Sequence, residues 1–396
     1  MLEDWGGGIS DEATLMIYLD ANATTPMHPE VLEAMMPYLT EWFHNPSSPT
    51  LSGRRVRKAI NRAREQVAGL LGAEPEQITF TGCGTESNNL ALRAMVSELG
   101  GERVRMVTSQ IEHPAILRPC EFLAGKGHDL TVCPVDESGY LDLHRFGQML
   151  AGGSPGMASV MWANNETGAI QEIAKLVEMS QEAGWIFHTD AIQAAGKLPF
   201  SVKEIPVDFL SISGHKFYGP KGVGALYSRT GEISEALIMG GGQEGGARSG
   251  TEHVAGIVGM GKAAEMAGAA LARGEHLRGA ERRDTFVARL REEIGGVRLY
   301  SSAGDCLWNV VHFSVAGCHS AALRILLDDA GLVCSAGSAC MTGSGKGSHV
   351  LEAMGIGKEE AAGSLRFSLS ILNTAAELEA AVGLVKVAVA EVREGE

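Results

Sequence analysis

Lys216 closes the tetrapeptide Ser213-Gly214-His215-Lys216, directly after the apolar run Val207-Asp208-Phe209-Leu210-Ser211-Ile212. A lysine at a strand end, boxed by glycine and polar neighbours, is placed to form a Schiff base once it is desolvated. Ser213 and His215 beside it can donate to a phosphate, although the tetrapeptide also reads as an ordinary surface turn. Asp190 follows the apolar stretch Trp185-Ile186-Phe187-His188 by two residues. A carboxylate there can keep a pyridine nitrogen protonated, so that the ring acts as an electron sink, or it can cap the next helix. Gly82-Cys83-Gly84-Thr85-Glu86-Ser87 makes a strand-to-helix turn whose free amides suit an anionic phosphate. It is neither a dinucleotide fingerprint, since Ser87 stands in place of the third glycine, nor a Walker loop, since no Gly-Lys-Ser/Thr follows. His113, in Glu112-His113-Pro114-Ala115, can stack on a planar ring or shuttle a proton, or serve structurally near a helix start. Taken singly, each feature is ambiguous. In the order Thr85, His113, Asp190, Lys216 they supply what pyridoxal 5'-phosphate (PLP) chemistry needs: a phosphate turn, a stacking ring, a carboxylate and an imine-forming amine.

The elements that must hold these residues alternate between helix and strand. Val56, Ile60, Ala63, Val67 and Leu70 recur at steps of four and three, which predicts a helix with one apolar face from residue 52, ended by Gly72. Ile78-Thr79-Phe80-Thr81 reads as a strand feeding the glycine turn, and a second helix starts from Leu90-Ala91-Leu92. Further buried strands are expected at 104–108, 130–135, 158–162, 185–188 and 209–213, mostly separated by helical stretches. That alternation implies a mostly parallel sheet covered by helices, an α/β fold. In such sheets ligands bind beyond the carboxyl ends of the strands, where Gly82 to Asn89, His113, Asn164-Asn165-Glu166, Asp190 and Ser213 to Lys216 all fall. Beyond about residue 270 the texture changes. Residues 263–294 read as one long helix, followed by a strand at Val310-Val311-His312-Phe313-Ser314-Val315, a Gly/Ser-rich stretch from Ser335 to Ser348 and a closing Ala-rich helix. This is the pattern of a smaller α+β domain.

Composition bounds the rest. The chain has 396 residues, 45% hydrophobic and 20% charged, enough for a large packed core. Lys plus Arg number 33 against 48 Asp plus Glu, a net charge of −15, which argues against non-specific nucleic-acid or anionic-membrane binding. The 51 glycines follow no collagen-like period and point instead to many tight turns and backbone-lined sites. Seven cysteines, an odd number without C-x-x-C spacing, suggest neither a disulfide framework nor a zinc site, so no metal is expected. The acidic, glycine-rich start Met1-Leu2-Glu3-Asp4-Trp5-Gly6 lacks the features of a signal peptide. No apolar run in the sequence approaches the ~20 residues of a membrane span. A cytoplasmic protein is expected.

The sequence resembles the cysteine desulfurases of the class V aminotransferase family, fold type I PLP enzymes, and in particular the nitrogen-fixation and iron–sulfur-cluster group. The matching segments run from Tyr18-Leu19-Asp20-Ala21-Asn22-Ala23-Thr24-Thr25-Pro26 to Leu365-Arg366-Phe367-Ser368-Leu369, nearly the whole chain. Between them lie the lysine stretch, which continues through Tyr218-Gly219-Pro220-Lys221-Gly222, the segment Gly240-Gly241-Gly242-Gln243-Glu244 leading to Arg248-Ser249-Gly250-Thr251, and the cysteine loop Ser335-Ala336-Gly337-Ser338-Ala339-Cys340. The resemblance implies a large PLP-binding domain over 27–271 with a mostly parallel seven-stranded sheet. It also implies a small domain from 1–26 and 272–396 that carries the cysteine loop.

For individual residues the resemblance implies that Lys216 carries PLP and later acts as acid and base at the substrate Cα. Asp190 pairs with the ring nitrogen, Gln193 reaches the ring hydroxyl, and His113 stacks on the ring and takes part in catalysis. Gly84, Thr85, Ser213 and His215 hold the phosphate, joined by Thr251 from a neighbouring subunit, which implies a homodimer with shared sites. Arg366 clamps the carboxylate of the substrate, L-cysteine, with Asn165 and Asn22 nearby. Cys340 is the implied nucleophile that receives sulfur as a persulfide and passes it to an acceptor protein, leaving alanine. The small residues of 341–348 suit a moving segment, and Lys346 can favour the thiolate. Cys83, Cys120, Cys133, Cys306, Cys318 and Cys334 read as packing residues.

The chain departs from the family pattern at Thr50, where histidine is usual, at Gly245, where arginine is common, at Leu307-Trp308-Asn309 and at Met341. None of these removes a catalytic group. Rival readings are a class V aminotransferase or C–S lyase without a persulfide, and a non-catalytic sulfur-transfer scaffold. The sulfur acceptor stays open between an iron–sulfur scaffold, a tRNA-thiolation relay and another carrier.

Overall fold

The computed structural model describes residues 16–301, 305–336 and 347–395. The expectations resting on Met1 to Gly6, on Cys340 and on Lys346 lie outside the described residues. Within them, the chain folds as an α/β protein around a seven-stranded sheet, as the alternating pattern implies. The spatial order is Ile78–Thr81, Gly224–Ser228, Phe209–Ser213, Ile186–Asp190, Met157–Ser159, Arg105–Ser109 and Asp129–Cys133. Only Gly224–Ser228 runs against the other six, because it is antiparallel to both of its neighbours. Central strands read as unbroken apolar runs because helices cover both sheet faces, and every residue of Phe209–Ser213 and Gly224–Ser228 is buried.

The parallel strands deliver their carboxyl ends to one edge, so Gly84, His113, Asn165, Asp190 and Lys216 converge although up to 132 residues separate them in sequence. The Leu51–Leu71 helix ends at Gly72, which adopts a left-handed φ of 71°. Its buried face includes Leu71 rather than Leu70, which is only half-buried. The strand expected at 158–162 is shorter, Met157–Ser159, because the chain there turns into the Asn164–Thr167 loop. The expected single helix over 263–294 is two helices, Val254–Ala272 and Glu275–Glu293. Gly274 breaks them with φ 71°, a conformation an ordinary helical residue avoids.

A second sheet, ordered Ser335–Ala336, Ser364–Ser368, Val310–Val315 and Val297–Leu299, is antiparallel throughout. Its core packs Val311, Phe313, Leu365 and Phe367 against Phe286, Leu290, Leu323 and Val385 from the flanking helices. Phe313 and Phe367 meet edge to face at 5.2 Å. The segment from Ile17 to Thr25 runs between the two sheets. Ile17–Tyr18 pairs in parallel with Leu332–Val333, Asp20 bridges to Ser368, and Thr25 bonds the His215 carbonyl through both its N–H and its hydroxyl at 3.0 Å.

Against the expectation that no apolar run approaches a membrane span, the Val254–Ala272 helix is long and apolar enough, by length and composition, to cross a membrane. Half of that stretch is buried within the fold, against the Pro29–Thr40 and Leu51–Leu71 helices.

Candidate active site

The sequence-derived residues gather around one cavity of about 370 Å³, within the ~300–1,000 Å³ range of small-molecule sites. Asn22, Gly84, Thr85, His113, Asn165, Asp190, Gln193, Ser213, His215, Lys216 and Arg366 all line it. Thr251 does not. It is exposed, directly after Gly250 and outside any helix or strand, and is not among the residues that line this cavity.

Lys216 sits in the short turn Gly214–Lys216 at the end of its strand. Its Nζ donates to the carbonyls of Asn22 at 2.6 Å and Ala23 at 2.8 Å. The turn is tied down by Tyr218, which holds a positive φ of 66°. The Tyr218 N–H donates to Thr25 Oγ1 at 2.8 Å, and its hydroxyl engages Ser370 Oγ at 3.0 Å and the Ile371 N–H at 2.9 Å. A left-handed residue that is not glycine costs roughly 1–3 kcal/mol, which these bonds offset.

Asp190 is the last residue of its strand rather than two beyond it, and it is buried. Its carboxylate accepts from Asn88 Nδ2 at 2.7 Å and from the Ile192 N–H at 3.0 Å. Burial pushes this carboxyl up from its usual range, while those two donors and the Lys216 charge act the other way.

His113 is the N-cap of the Pro114–Ala124 helix, and its Nδ1 accepts from the Ala115 N–H at 3.0 Å. The structural role is present, and the helix bond fixes a ring that also lines the cavity. Because Nδ1 accepts, the neutral ring carries its proton on Nε2, and burial shifts the imidazole down, favouring that neutral form.

At the other end of the cavity, Gly84 and Thr85 open the Gly84–Glu98 helix, whose N-cap, Cys83, contributes no side-chain bond. A Cβ on Gly84 would lie 2.3 Å from Ile192 Cδ1 and 3.2 Å from Ser213 Cβ, so any larger residue would force the Ile192 side chain to shift. Ser213 Oγ is buried without a hydrogen-bond partner among the described residues. His215 Nδ1 lies 3.1 Å from Thr24 Oγ1, and burial, then the Lys216 charge, pushes its imidazole down to about 4.

Arg366 is buried in the strand Ser364–Ser368 of the second sheet. Its Nη2 donates to Asp20 Oδ1 at 2.8 Å and its Nη1 to the Asn165 carbonyl at 3.1 Å. Its Nε–H has no hydrogen-bond partner among the described residues. Asn22 Nδ2 donates to the same Asn165 carbonyl at 3.0 Å.

Sequence reasoning missed several participants. Asn88 and Asp20 stand inside the quoted segments, and a search for partners of Asp190 and Arg366 there could have found them. Glu112 is fully buried, with Oε1 accepting from Ser109 Oγ at 2.5 Å and the Met161 N–H at 2.9 Å, and burial raises its carboxyl to about 8. Glu166, on the cavity wall, accepts from Ser348 Oγ at 2.5 Å and is raised by burial to about 7. His349 also lines the cavity, and its Nε2 lies 3.0 Å from the Glu112 carbonyl.

The residues present fit PLP on observations of this molecule. An amine and a carboxylate share one cavity, an imidazole fixed by its helix borders both, and the orphaned Ser213 hydroxyl sits beside an uncapped helix start, a ready anion site. The family model for class V aminotransferases matches residues 17–381. The chain belongs to that family. It is 44% identical over 362 residues to the cysteine desulfurase IscS of Dictyoglomus turgidum, covering 91% of each chain. Among solved structures, it matches a NifS-like protein with a TM-score of 0.88 and 34% identity over 95% of this chain and 100% of that one. It also matches SspA in complex with cysteine, with a TM-score of 0.79 and 33% identity over 90% of this chain and 100% of that one.

Proposed function

We propose that the chain is a PLP-dependent cysteine desulfurase: it converts L-cysteine to L-alanine and transfers the sulfur to Cys340 as a persulfide. The observation that carries this reading is the convergence of Lys216, Asp190, His113 and Arg366 on one cavity, in a chain 44% identical to a cysteine desulfurase over nearly its whole length. Bound there, PLP supplies an electron sink for the bond electrons released at the substrate Cα.

The protein's own groups do the rest. Asp190 would hold the ring nitrogen protonated, an ion pair that suits a buried carboxylate. His113 covers one ring face as a neutral imidazole. Gly84, Thr85, Ser213 and His215 hold the phosphate. Lys216 Nζ forms the linkage to the cofactor and holds or moves the proton at the substrate Cα. Arg366 orients the substrate carboxylate, with Asn22 and Asn165 setting its rim, while Asp20 fixes the guanidinium from behind. The Cys340 thiolate attacks the substrate Sγ. The sulfur–sulfur bond forms as the carbon–sulfur bond breaks, and a proton delivered to the substrate carbon completes alanine.

The same reading carries the division into a large domain over 27–271 and a small one from 1–26 and 272–396. It also carries a homodimer in which Thr251 serves the partner's phosphate, a cytoplasmic location and a protein acceptor for the persulfide. Support for the dimer comes from exposed apolar side chains on and beside the Pro29–Thr40 helix, Leu32, Met36, Leu39 and Phe43.

Incubation with cysteine labelled in sulfur tests the reading. Alanine in the supernatant and label on the Cys340 peptide are expected, with the label lost in Cys340→Ser. Pyruvate with ammonia would make the protein a C–S lyase, 2-oxo acid dependence an aminotransferase, and a colourless protein after PLP loading a scaffold.

A further inference from the structure

Gln193 and Asn22 both border the cofactor cavity with a carboxamide, a group whose oxygen and nitrogen ends exchange by a half-turn. Lys197, four residues after Gln193, is buried, and its Nζ lies 2.5 Å from Gln193 Oε1 and 3.3 Å from Asn22 Oδ1. Burial, then the charges of Lys216 and Arg366, push this amine well below its usual range, and in the observed geometry its N–H groups donate to both amide oxygens, which turn toward it. Gln193 Nε2 is thereby aimed at the Asn22 carbonyl, 3.0 Å away, and Asn22 Nδ2 at the Asn165 carbonyl, 3.0 Å away. Asn22 Oδ1 has a second donor in Asn309 Nδ2 at 2.9 Å.

A lysine in this position is costly to bury. Its two acceptors are amide oxygens rather than carboxylates, and the charges of Lys216 and Arg366 face it. Neither solvation nor charge pairing accounts for it. The direction it imposes on Gln193 does. We infer that Lys197 is a positioning residue for the cofactor, holding the Gln193 carboxamide so that an N–H, and not the carbonyl, meets the ring hydroxyl oxygen. This rests on the PLP reading of the cavity. A flipped Gln193 would set two oxygens against each other, leaving a buried acceptor unmet. Lys197 also borders a second cavity of about 320 Å³, beside Phe217, Met266 and Trp308, which leaves space for a larger side chain.

Titration of the cofactor-free protein with PLP, followed by absorbance, tests this as a double-mutant cycle. Lys197→Met and Gln193→Ala are each expected to weaken binding about tenfold, whereas the double variant falls no more than about twofold below Gln193→Ala alone. Lys197→Arg, which keeps the donors and has room, should bind within about threefold of the unaltered protein. Lys197→Gln, whose own amide can turn either way, should weaken binding in the same direction as Lys197→Met and give a readout if the apolar variant does not fold. Unchanged affinity in both Lys197→Met and Lys197→Gln, or an equal loss in the Gln193→Ala background, would overturn the inference. An unaltered protein that takes up no PLP would instead defeat the cofactor reading and leave the amide geometry as it stands.

Discussion

Among single residues, the buried carboxyls and imidazoles around the cavity set the expected pH response. Glu112 is raised by burial to about 8 against an ordinary 4.5, so the folded chain binds a proton there that the unfolded chain releases. Stability from this group is full below pH 4.5 and is lost as pH rises toward 8. His188 and His312 run the other way. Both are pushed down to about 3 by burial, so their contribution is present above pH 6.5 and lost as pH falls toward 3. Below pH 6.5 the two histidines outweigh the one carboxyl, and above it only the carboxyl counts, so the cofactor-free protein should melt highest near pH 6.5. Glu112→Gln should remove ~2 kcal/mol of the decline between pH 6.5 and 8, measured by thermal unfolding across that range. A decline that persists unchanged in the variant would mean that Glu112 is ionised in the fold. For Lys216→Ala we expect a ~10²–10⁴-fold loss of turnover together with loss of the yellow colour, because the proposed mechanism puts acid–base and linkage roles on one amine. Arg366→Lys should raise KM for cysteine at least about tenfold, since a point-charge ammonium cannot replace a planar fork. Steady-state kinetics decide this, and an unchanged KM would move the carboxylate site elsewhere. Arg366→Ala additionally strands Asp20, a loss of ~3–5 kcal/mol in the range for breaking a buried pair.

Element by element, local signals held where one residue type has one physical use. Gly72 ends a helix because φ 71° needs glycine, and the apolar period named the face of Leu51–Leu71 to within one residue. The strand Phe209–Ser213 matched its expected range because its apolar run is bounded by polar residues. The long helix over 263–294 was misread because Arg273-Gly274 looks tolerable in an alanine-rich run, and only the packing of the second helix against the other sheet shows the break. At the start of the Gly84–Glu98 helix an added carbon would displace the Ile192 side chain beside the cavity. Gly84→Ala should weaken PLP binding at least about tenfold and lower stability by ~1–3 kcal/mol, as overpacking does. Equilibrium titration and a melt measure both, and normal affinity would show that this turn yields without penalty.

At the scale of the whole molecule, the cavity exists only where two sheets meet. Lys216, Asp190 and His113 come from the large sheet's edge, whereas Arg366 comes from the antiparallel sheet and Asn22 from the segment between them. Phe367→Ala, in the second core, should destabilise by ~3–5 kcal/mol and shift Arg366, its chain neighbour, so KM should rise with little change in PLP affinity. Light scattering should give twice the chain mass, and Thr251→Ala should weaken PLP binding although Thr251 lies outside its own cavity. A monomer with full cofactor affinity would remove the shared-site proposal. The sequence by itself determined the α/β class, the strand ends that carry chemistry and the family of the chain, because those depend on residue type, period and order along the backbone. The tertiary structure alone decided the partners: Asp20 behind Arg366, Asn88 on Asp190, Lys197 behind Gln193, and Glu112 and Glu166 held at raised pKa. Those depend on distance and burial between residues up to 346 positions apart, as Asp20 and Arg366 are, and local pattern carries no trace of such separations.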